Sequence, residues 1–287
     1  MNSSYLKIAI QKSGRLLEKS LAMLNECGIR INSGYNQLRA VCDNFPCEIL
    51  FLRDDDIPAY IEDGVADVGI VGENVVVEKQ KDILLATRLG FAQCRLALAV
   101  PRDFAYTDIK SLEGKRIATS YPKILQNFLD EAGIQAEIHI ISGSVEIAPS
   151  IGLADAICDI VSTGSTLLSN GLKEVQPVMK SEAVLVANHH LNDFKQKLLD
   201  KLIFRINAYK KARYYKYILL NAPADQLQAI IELIPGMKSP TVLPLAEPGW
   251  ISIHSVIQED DFWEIIEKLQ ACGAQGILVV PIEKMIL

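Results

Sequence analysis

The chain has 287 residues, 49% of them hydrophobic and 22% charged, with a net charge of −6. That balance excludes a largely disordered chain, and the length exceeds one small core, so two or three domains are expected. The acidic surplus argues against a nucleic-acid binder, and no apolar run approaches the roughly 20 residues that span a bilayer.

Residues 6–10 read as a buried strand, entered from a start that lacks the basic, apolar and cleavage regions of a secretory signal. A helix is predicted over 14–27, with Leu16, Leu17, Leu21 and Leu24 as its apolar positions and Gly28 as its stop. Residues 48–52 are the next strand, and a helix beginning near Asp56 carries Pro58 in its first turn, where proline is tolerated. Further strands fall at 68–71, 95–100, 116–119, 138–141 and 156–161, with a helix over 122–132 closed by Gly133. This alternation predicts an α/β protein with mostly parallel sheets. There is also a short internal echo. Asp67 follows Gly64 and Ala66 before one strand, Asp155 follows Gly152 and Ala154 before another, and both strands end in glycine-bearing turns at Gly72 and Gly164.

A long helical stretch over 191–215 carries basic residues and reads as a solvated or linker helix. The tail then reads strand 217–220, helix 224–233, strands 241–245 and 250–257, helix 260–271 and strand 276–280. That β-α-β-β-α-β order predicts a ferredoxin-like unit with an antiparallel sheet. The six cysteines show no metal-ligand spacing, so reduced thiols in a cytoplasmic protein are expected.

The most informative chemistry lies in Asp155-Ala156-Ile157-Cys158-Asp159-Ile160-Val161-Ser162-Thr163-Gly164-Ser165-Thr166-Leu167. An apolar strand runs into a small, hydroxyl-rich turn that opens a helix. Backbone N–H groups and hydroxyls at a helix start suit a phosphate, and Gly164 permits close approach. Asp159 near the strand end suits ribose hydroxyls or a magnesium-bound sugar phosphate. On spacing alone, a simply capped helix after a buried strand fits equally well.

This segment resembles the phosphoribosyl-pyrophosphate motif of the ATP phosphoribosyltransferase family. Gln11-Lys12-Ser13-Gly14-Arg15-Leu16, Arg53-Asp54-Asp55-Asp56-Ile57-Pro58, Asp67-Val68-Gly69-Ile70-Val71-Gly72-Glu73-Asn74, Arg116-Ile117-Ala118-Thr119-Ser120-Tyr121-Pro122 and Gly143-Ser144-Val145-Glu146 resemble further stretches of it, in the same order. Ser239-Pro240-Thr241 and Pro281-Ile282-Glu283-Lys284-Met285 resemble the regulatory tail of the long form. The resemblance implies a two-lobed core like a type II periplasmic binding protein plus a C-terminal ACT-like domain. The implied division is 1–97 with 183–214 for lobe I, 98–182 for lobe II and 215–287 for the regulatory domain. It further implies transfer of a phosphoribosyl group to ring nitrogen 1 of ATP with magnesium, pyrophosphate as leaving group, inhibition by histidine, and interconverting dimers and hexamers.

The site residues follow from motif and chemistry together. Lys12 and Arg15 are candidate phosphate contacts, beside Gln11 and Gly14, and their bland reading is a solvated turn. Asp55 is a helix cap or a magnesium or ribose ligand, while Asp67, Gly72 and Glu73 are candidate adenine or ribose contacts. Arg95 is a candidate phosphate or adenine contact, and Cys94 beside it is a candidate substrate-binding residue whose thiol reads as a small core group rather than a nucleophile. Ser120, Tyr121 and Glu146 are candidate cleft residues, and Ser162, Thr163, Gly164, Ser165 and Thr166 form the phosphate cradle. Positioning by Lys12, Arg15 and Asp159 is expected to replace a protein nucleophile or a strong general base. Asn221, Thr241 and Gly276 are the expected histidine contacts. The readings left open are a two-lobed binding protein without catalysis and a phosphoribosyltransferase with another acceptor.

Overall fold

Leu6, Ile8, Ala9 and Ile10 are fully buried because their strand, β1 (Leu6–Gln11), runs through the middle of a sheet. The computed structural model containing it describes residues 5–32 and 37–286. The chain divides into two compact units, Met1–Asn25 with Ile29–Asp200 and Glu26–Gly28 with Lys201–Leu287.

The first unit is built on two sheets. After β1 come α1 (Arg15–Glu26), β2 (Arg39–Val41), β3 (Cys47–Leu52), α2 (Ile57–Glu62), β4 (Val68–Gly72), α3 (Glu73–Lys79) and β5 (Leu84–Arg88). The chain then builds the second sheet with β6 (Cys94–Pro101), β7 (Arg116–Thr119), α4 (Pro122–Ala132), β8 (Glu137–Ile140), β9 (Ala156–Val161), α5 (Ser165–Ser169) and β10 (Leu172–Ser181). It returns to the first sheet as β11 (Ala183–Ala187). The strand orders are β2-β3-β1-β4-β11-β5 and β10-β6-β9-β7-β8. β6 lies whole in the second sheet, so a lobe boundary at 97/98 falls inside that strand.

The expectation of mostly parallel sheets is corrected. β1 pairs parallel with β3 and β4, and β7 with β8 and β9, but the remaining pairs in both sheets are antiparallel. The cause is the way the chain passes between sheets. β5, β6, β10 and β11 enter and leave directly, without the crossover helix that a parallel neighbour requires. β10 escapes a sequence reading because it carries Pro177 and two register shifts, which an edge strand tolerates.

Each sheet has its own core. Leu96, Leu98, Ile117, Leu125 and Leu129 are at most 1% exposed in the second, and Ile57, Ile61, Val71 and Val184 at most 0% in one face of the first. Burying each such side chain contributes about 1.5–3 kcal/mol.

The echo around Asp67 and Asp155 has a structural meaning. Asp67 Oδ2 accepts the Lys7 N–H at 2.8 Å while the Asp67 N–H donates to the Lys7 carbonyl at 3.0 Å. Asp155 repeats this with Arg116, at 2.9 and 2.8 Å. Each carboxylate thus closes the mouth of a parallel strand pair at its N-terminal edge.

α6 (Asp193–Arg213) realises the predicted basic helix, with Leu198, Leu199, Leu202 and Ile206 as its buried positions. The second unit continues with β12 (Tyr215–Pro223), α7 (Leu227–Leu233), β13 (Thr241–Pro244), β14 (Trp250–Gln258), α8 (Phe262–Ala271) and β15 (Gln275–Pro281). Its sheet, in order β13-β14-β12-β15, is antiparallel throughout. Ile218, Leu220, Ile253, Ile230 and Leu269 form the core under α7 and α8. This is the ferredoxin-like order expected from the tail. All six cysteines are free thiols, and no helix among the described residues is long and apolar enough to cross a membrane.

Candidate functional site

The C-terminal ends of parallel strands gather most of the candidate residues, which is where open α/β sheets usually bind ligands. Gln11, Lys12, Gly14 and Arg15 follow β1, Asp55 follows β3, and Gly72 and Glu73 end β4. In the second sheet Ser120 and Tyr121 follow β7, Glu146 lies beyond β8, and Asp159 and 162–166 lie at the end of β9. Cys94 and Arg95 open β6, but β6 runs antiparallel to β9, so Arg95 pairs with Val161 at this same edge.

A cleft of about 600 Å³ lies where the chain passes between the sheets. It is lined by Glu73, Arg88, Gln93, Cys94, Arg95, Ser162, Lys180, Ser181 and Glu182. Both its arginines are oriented by carboxylates. Arg95 makes a two-pronged pair with Glu174, leaving Nη1 3.5 Å from the Ser162 carbonyl. Arg95 therefore orders the start of the hydroxyl-rich turn as well as facing the cleft. Arg88 pairs with Glu73. A Cβ on Gly72 would come 2.5 Å from Asn74 Oδ1, and that oxygen accepts the Ser181 hydroxyl at 2.8 Å. The absent side chain at Gly72 is what lets this buried pair form.

Acidic groups cluster around Tyr121, in the neighbourhood of the cleft-lining Cys94. Burial first, then the charge of Glu146, pushes the Asp159 carboxyl up to about 6, against a lowering by its bond from the Ile160 N–H. Burial and the charge of Asp55 push Asp54 up to about 6 as well, while Lys79 pulls it down. Asp54 Oδ1 is buried and accepts no hydrogen bond from the described residues. The Tyr121 phenol is raised by burial and then by Asp159, Asp54, Asp55 and Cys94, so these groups share one neighbourhood. Burial raises the Cys94 thiol too, which leaves it a neutral lining group rather than a nucleophile.

The turn 162–166 presents its hydroxyls to solvent. Gly164 has φ +80°, the left-handed region that favours glycine, and Thr163 Oγ1 lies 3.0 Å from Ser165 Oγ. α5 behind it has only five residues, so the turn's own amides and hydroxyls carry more of any phosphate contact than a helix dipole does. Ser120 Oγ donates to the Ile141 carbonyl at 2.7 Å and accepts the Gly143 N–H at 3.4 Å, joining the loops after β7 and β8.

Several expected residues lie elsewhere. Asp67 is a correction: it precedes β4, at the opposite end from Gly72, about 16 Å away at 3.3 Å per residue. It is 5% exposed and its Oδ1 lies 2.7 Å from Lys195 Nζ, so it ties the sheet to α6. Asp55 is 70% exposed at its side chain and 3.6 Å from Lys79, while Asp54 takes the inward position. Asn221 and Gly276 are neighbours, since a Cβ on Gly276 would meet Asn221 Nδ2 at 3.5 Å. Thr241 is on β13, two strands beyond β12, and pairs with His254. The structure does not bring it to Gly276 within one chain. Sequence reasoning weighed the run Asp54-Asp55-Asp56 but favoured Asp55 over Asp54, and it missed Arg88, Gln93, Lys180, Ser181, Glu182 and Glu174. Their signal was the polar break at 180–182, which only means something once β10 and β11 are seen as strands in different sheets.

Among the described residues no group of three His, Cys, Asp or Glu side chains forms a metal cage. Asp159 and Glu146, close enough to influence one another electrostatically, offer only oxygen donors, the kind a hard divalent cation takes.

Comparison with known proteins bears on this site. The family model described as ATP phosphoribosyltransferase matches residues 53–208, and that of its C-terminal domain matches 212–284. An ATP phosphoribosyltransferase of Cytophaga hutchinsonii is 59% identical over 284 residues, covering 99% of each chain. One from Bacteroides thetaiotaomicron is 57% identical over 282 residues, covering 98% of this chain and 100% of its own. Among solved structures, the ATP phosphoribosyl transferase complex of Thermotoga maritima aligns at a TM-score of 0.60 and 30% identity, over 70% of this chain and 98% of that one. A substrate-binding protein of an amino-acid ABC transporter aligns at 0.50 and 12% identity over 72% of this chain and 94% of its own, a likeness of fold alone.

Proposed function

The chain belongs to the ATP phosphoribosyltransferase family, and we propose that the cleft between its two sheets holds both substrates. The enzyme joins ATP to phosphoribosyl pyrophosphate in the first step of histidine biosynthesis. In the proposed reaction, ring nitrogen 1 of adenine forms a bond to the anomeric carbon of the ribose as the bond from that carbon to pyrophosphate breaks. The electron pair leaves with the pyrophosphate. Both reactants are polyanions, so holding them in line and screening their charges supplies most of the rate enhancement.

One observation supports the assignment of roles: a single cleft is lined by Glu73 and Arg88, at the ends of β4 and β5 in the first sheet, and by Arg95 and Ser162, at the start of β6 and the end of β9 in the second. Ser162, Thr163, Gly164, Ser165 and Thr166 hold the 5′-phosphate of the phosphoribosyl group. Asp159 accepts from the ribose hydroxyls, and Glu146 supports it. Arg95, Lys12 and Arg15 face the phosphate chains, with Gln11 and Gly14 shaping the loop after β1. Gly72 and Glu73 line the nucleotide side, and Ser120 and Tyr121 close the floor. Magnesium, held by Asp159 and Glu146 with the substrate, would neutralise the departing pyrophosphate. The ferredoxin-like unit binds histidine near Asn221 and Gly276, and feedback inhibition acts through it in a cytoplasmic homo-oligomer. Thr241 joins that site only if a second copy supplies it.

The test is pyrophosphate release from ATP plus phosphoribosyl pyrophosphate with magnesium, with and without histidine. Release that needs both substrates and falls with histidine is expected. Release that ignores histidine would discard the effector site. Release with a different base in place of ATP would reassign the acceptor.

A further inference from the structure

Glu78, near the end of α3, is a charged residue only 7% exposed. α3 follows the first sheet's β4, yet the Glu78 carboxylate bonds into the second sheet's helix α4. The Lys123 N–H donates to Oε1 at 3.2 Å and Oε2 at 3.1 Å, and the Ile124 N–H donates to Oε2 at 3.1 Å. α4 needs such a partner. Pro122 occupies its first turn, and Tyr121 at its N-cap makes no side-chain cap. The next N–H groups would otherwise be orphaned, and the positive end of an 11-residue helix favours an anion there.

The start of α3 is tied as firmly, but to the chain's passage between sheets. The Glu73 N–H donates to the Glu182 carbonyl at 2.9 Å and the Asn74 N–H to Ser181 Oγ at 3.1 Å. α3 is therefore pinned at one end to the hinge and at the other to α4. A rotation of one sheet against the other about residues 181–182 that separates α3 from α4 would break the Glu78 bonds and leave a buried carboxylate unpaired, which is costly. α4 in turn begins directly after Ser120 and Tyr121, the residues that the proposed function puts at the floor of the cleft.

We propose that Glu78 is a positioning residue for the phosphoribosyl transfer, an inter-lobe latch that caps α4 from the opposite lobe and fixes the cleft floor. The inference rests on the reading of the cleft as the substrate site. Glu78 touches no substrate; it sets the distance between the groups that do. Its removal should therefore be felt in substrate binding more than in the chemical step.

The experiment uses the full chain carrying Glu78→Gln, which keeps the shape but turns one acceptor into a donor facing the Lys123 and Ile124 N–H groups. Steady-state kinetics, small-angle scattering and amide exchange are measured together. The KM for phosphoribosyl pyrophosphate should rise about tenfold, with kcat falling less than threefold. The scattering radius of the substrate-free protein should increase and return to the wild-type value with both substrates, and the amides of Lys123 and Ile124 should exchange faster. Glu78→Ala should move all three readouts further in the same direction; the isosteric Gln variant carries the test if the Ala variant does not fold. Unchanged KM and radius in a folded Gln variant would overturn the latch. So would a fall in thermal stability with KM unchanged, which marks a cap and nothing more. A wild-type protein that binds neither substrate would instead count against the cleft reading, with the Glu78 effect on radius and exchange still measurable.

Discussion

Replacing Asp67 separates two roles that its sequence position leaves confounded. Its carboxylate is 7% exposed at the side chain, accepts the Lys7 N–H at 2.8 Å and pairs with Lys195, itself 15% exposed, at 2.7 Å. Removing one partner of a buried pair costs about 3–5 kcal/mol, because the other charge stays behind. Asp67→Asn keeps an oxygen for the Lys7 N–H, so about 3 kcal/mol is expected. At about 2–4 °C per kcal/mol for a chain of this size, the melting temperature should drop by ~6–12 °C. The double variant Asp67→Asn with Lys195→Met should recover part of the loss, since the stranded ammonium is gone. The assay is thermal unfolding followed by circular dichroism, paired with KM for both substrates. The reasoning is refuted by a KM that rises severalfold while the melting temperature holds, for that would put Asp67 against a substrate.

Asp159→Asn carries a pH signature. The folded carboxyl titrates near 6, above the unfolded value of 3.8, so the folded state binds the extra proton between those values. Its burial leaves stability intact below about pH 4 and removes some as pH rises through about 6. The Asn variant should gain melting temperature over wild type at pH 7.5 and not at pH 4, while losing at least ~10-fold in kcat/KM; an equal shift at both pH values would contradict the buried-carboxylate reading. Gly72→Ala should lower stability by about 1–3 kcal/mol, because the new methyl displaces Asn74 from Ser181. Its φ of −68° is one that alanine adopts freely, so an unchanged melting temperature would mean the pair is not under steric control. Deleting 215–287 should abolish inhibition by histidine, and a truncated enzyme still inhibited would move the effector site into the first unit.

Much of the fold was legible because its signals are local. The strands at β1, β4, β7 and β9 are short apolar runs ended by glycine or small polar turns, and their burial follows from composition alone. The ferredoxin-like tail was legible for the same reason. Resemblance over several separated motifs carried the family. The strands that move the chain between sheets were not legible, because β5 and β10 are edge strands whose exposed, mixed residues resemble loops.

By itself, the sequence determined which residue types stand at each strand end: hydroxyls and Gly164 after β9, cations after β1, a run of three aspartates after β3. Only the tertiary structure decided which of them face one another. Asp67 and Glu73 are close in sequence, yet one closes the N-terminal edge of the sheet and the other lines the cleft, since a strand carries its two ends to opposite sides. Asp54 turns inward and Asp55 outward because a tight helical turn sends adjacent side chains in different directions. Glu78 looks like an ordinary helical acid in sequence and becomes the cap of α4 only when two sheets meet, 45 residues apart along the chain. Contacts of that separation depend on chain topology, which no local pattern encodes.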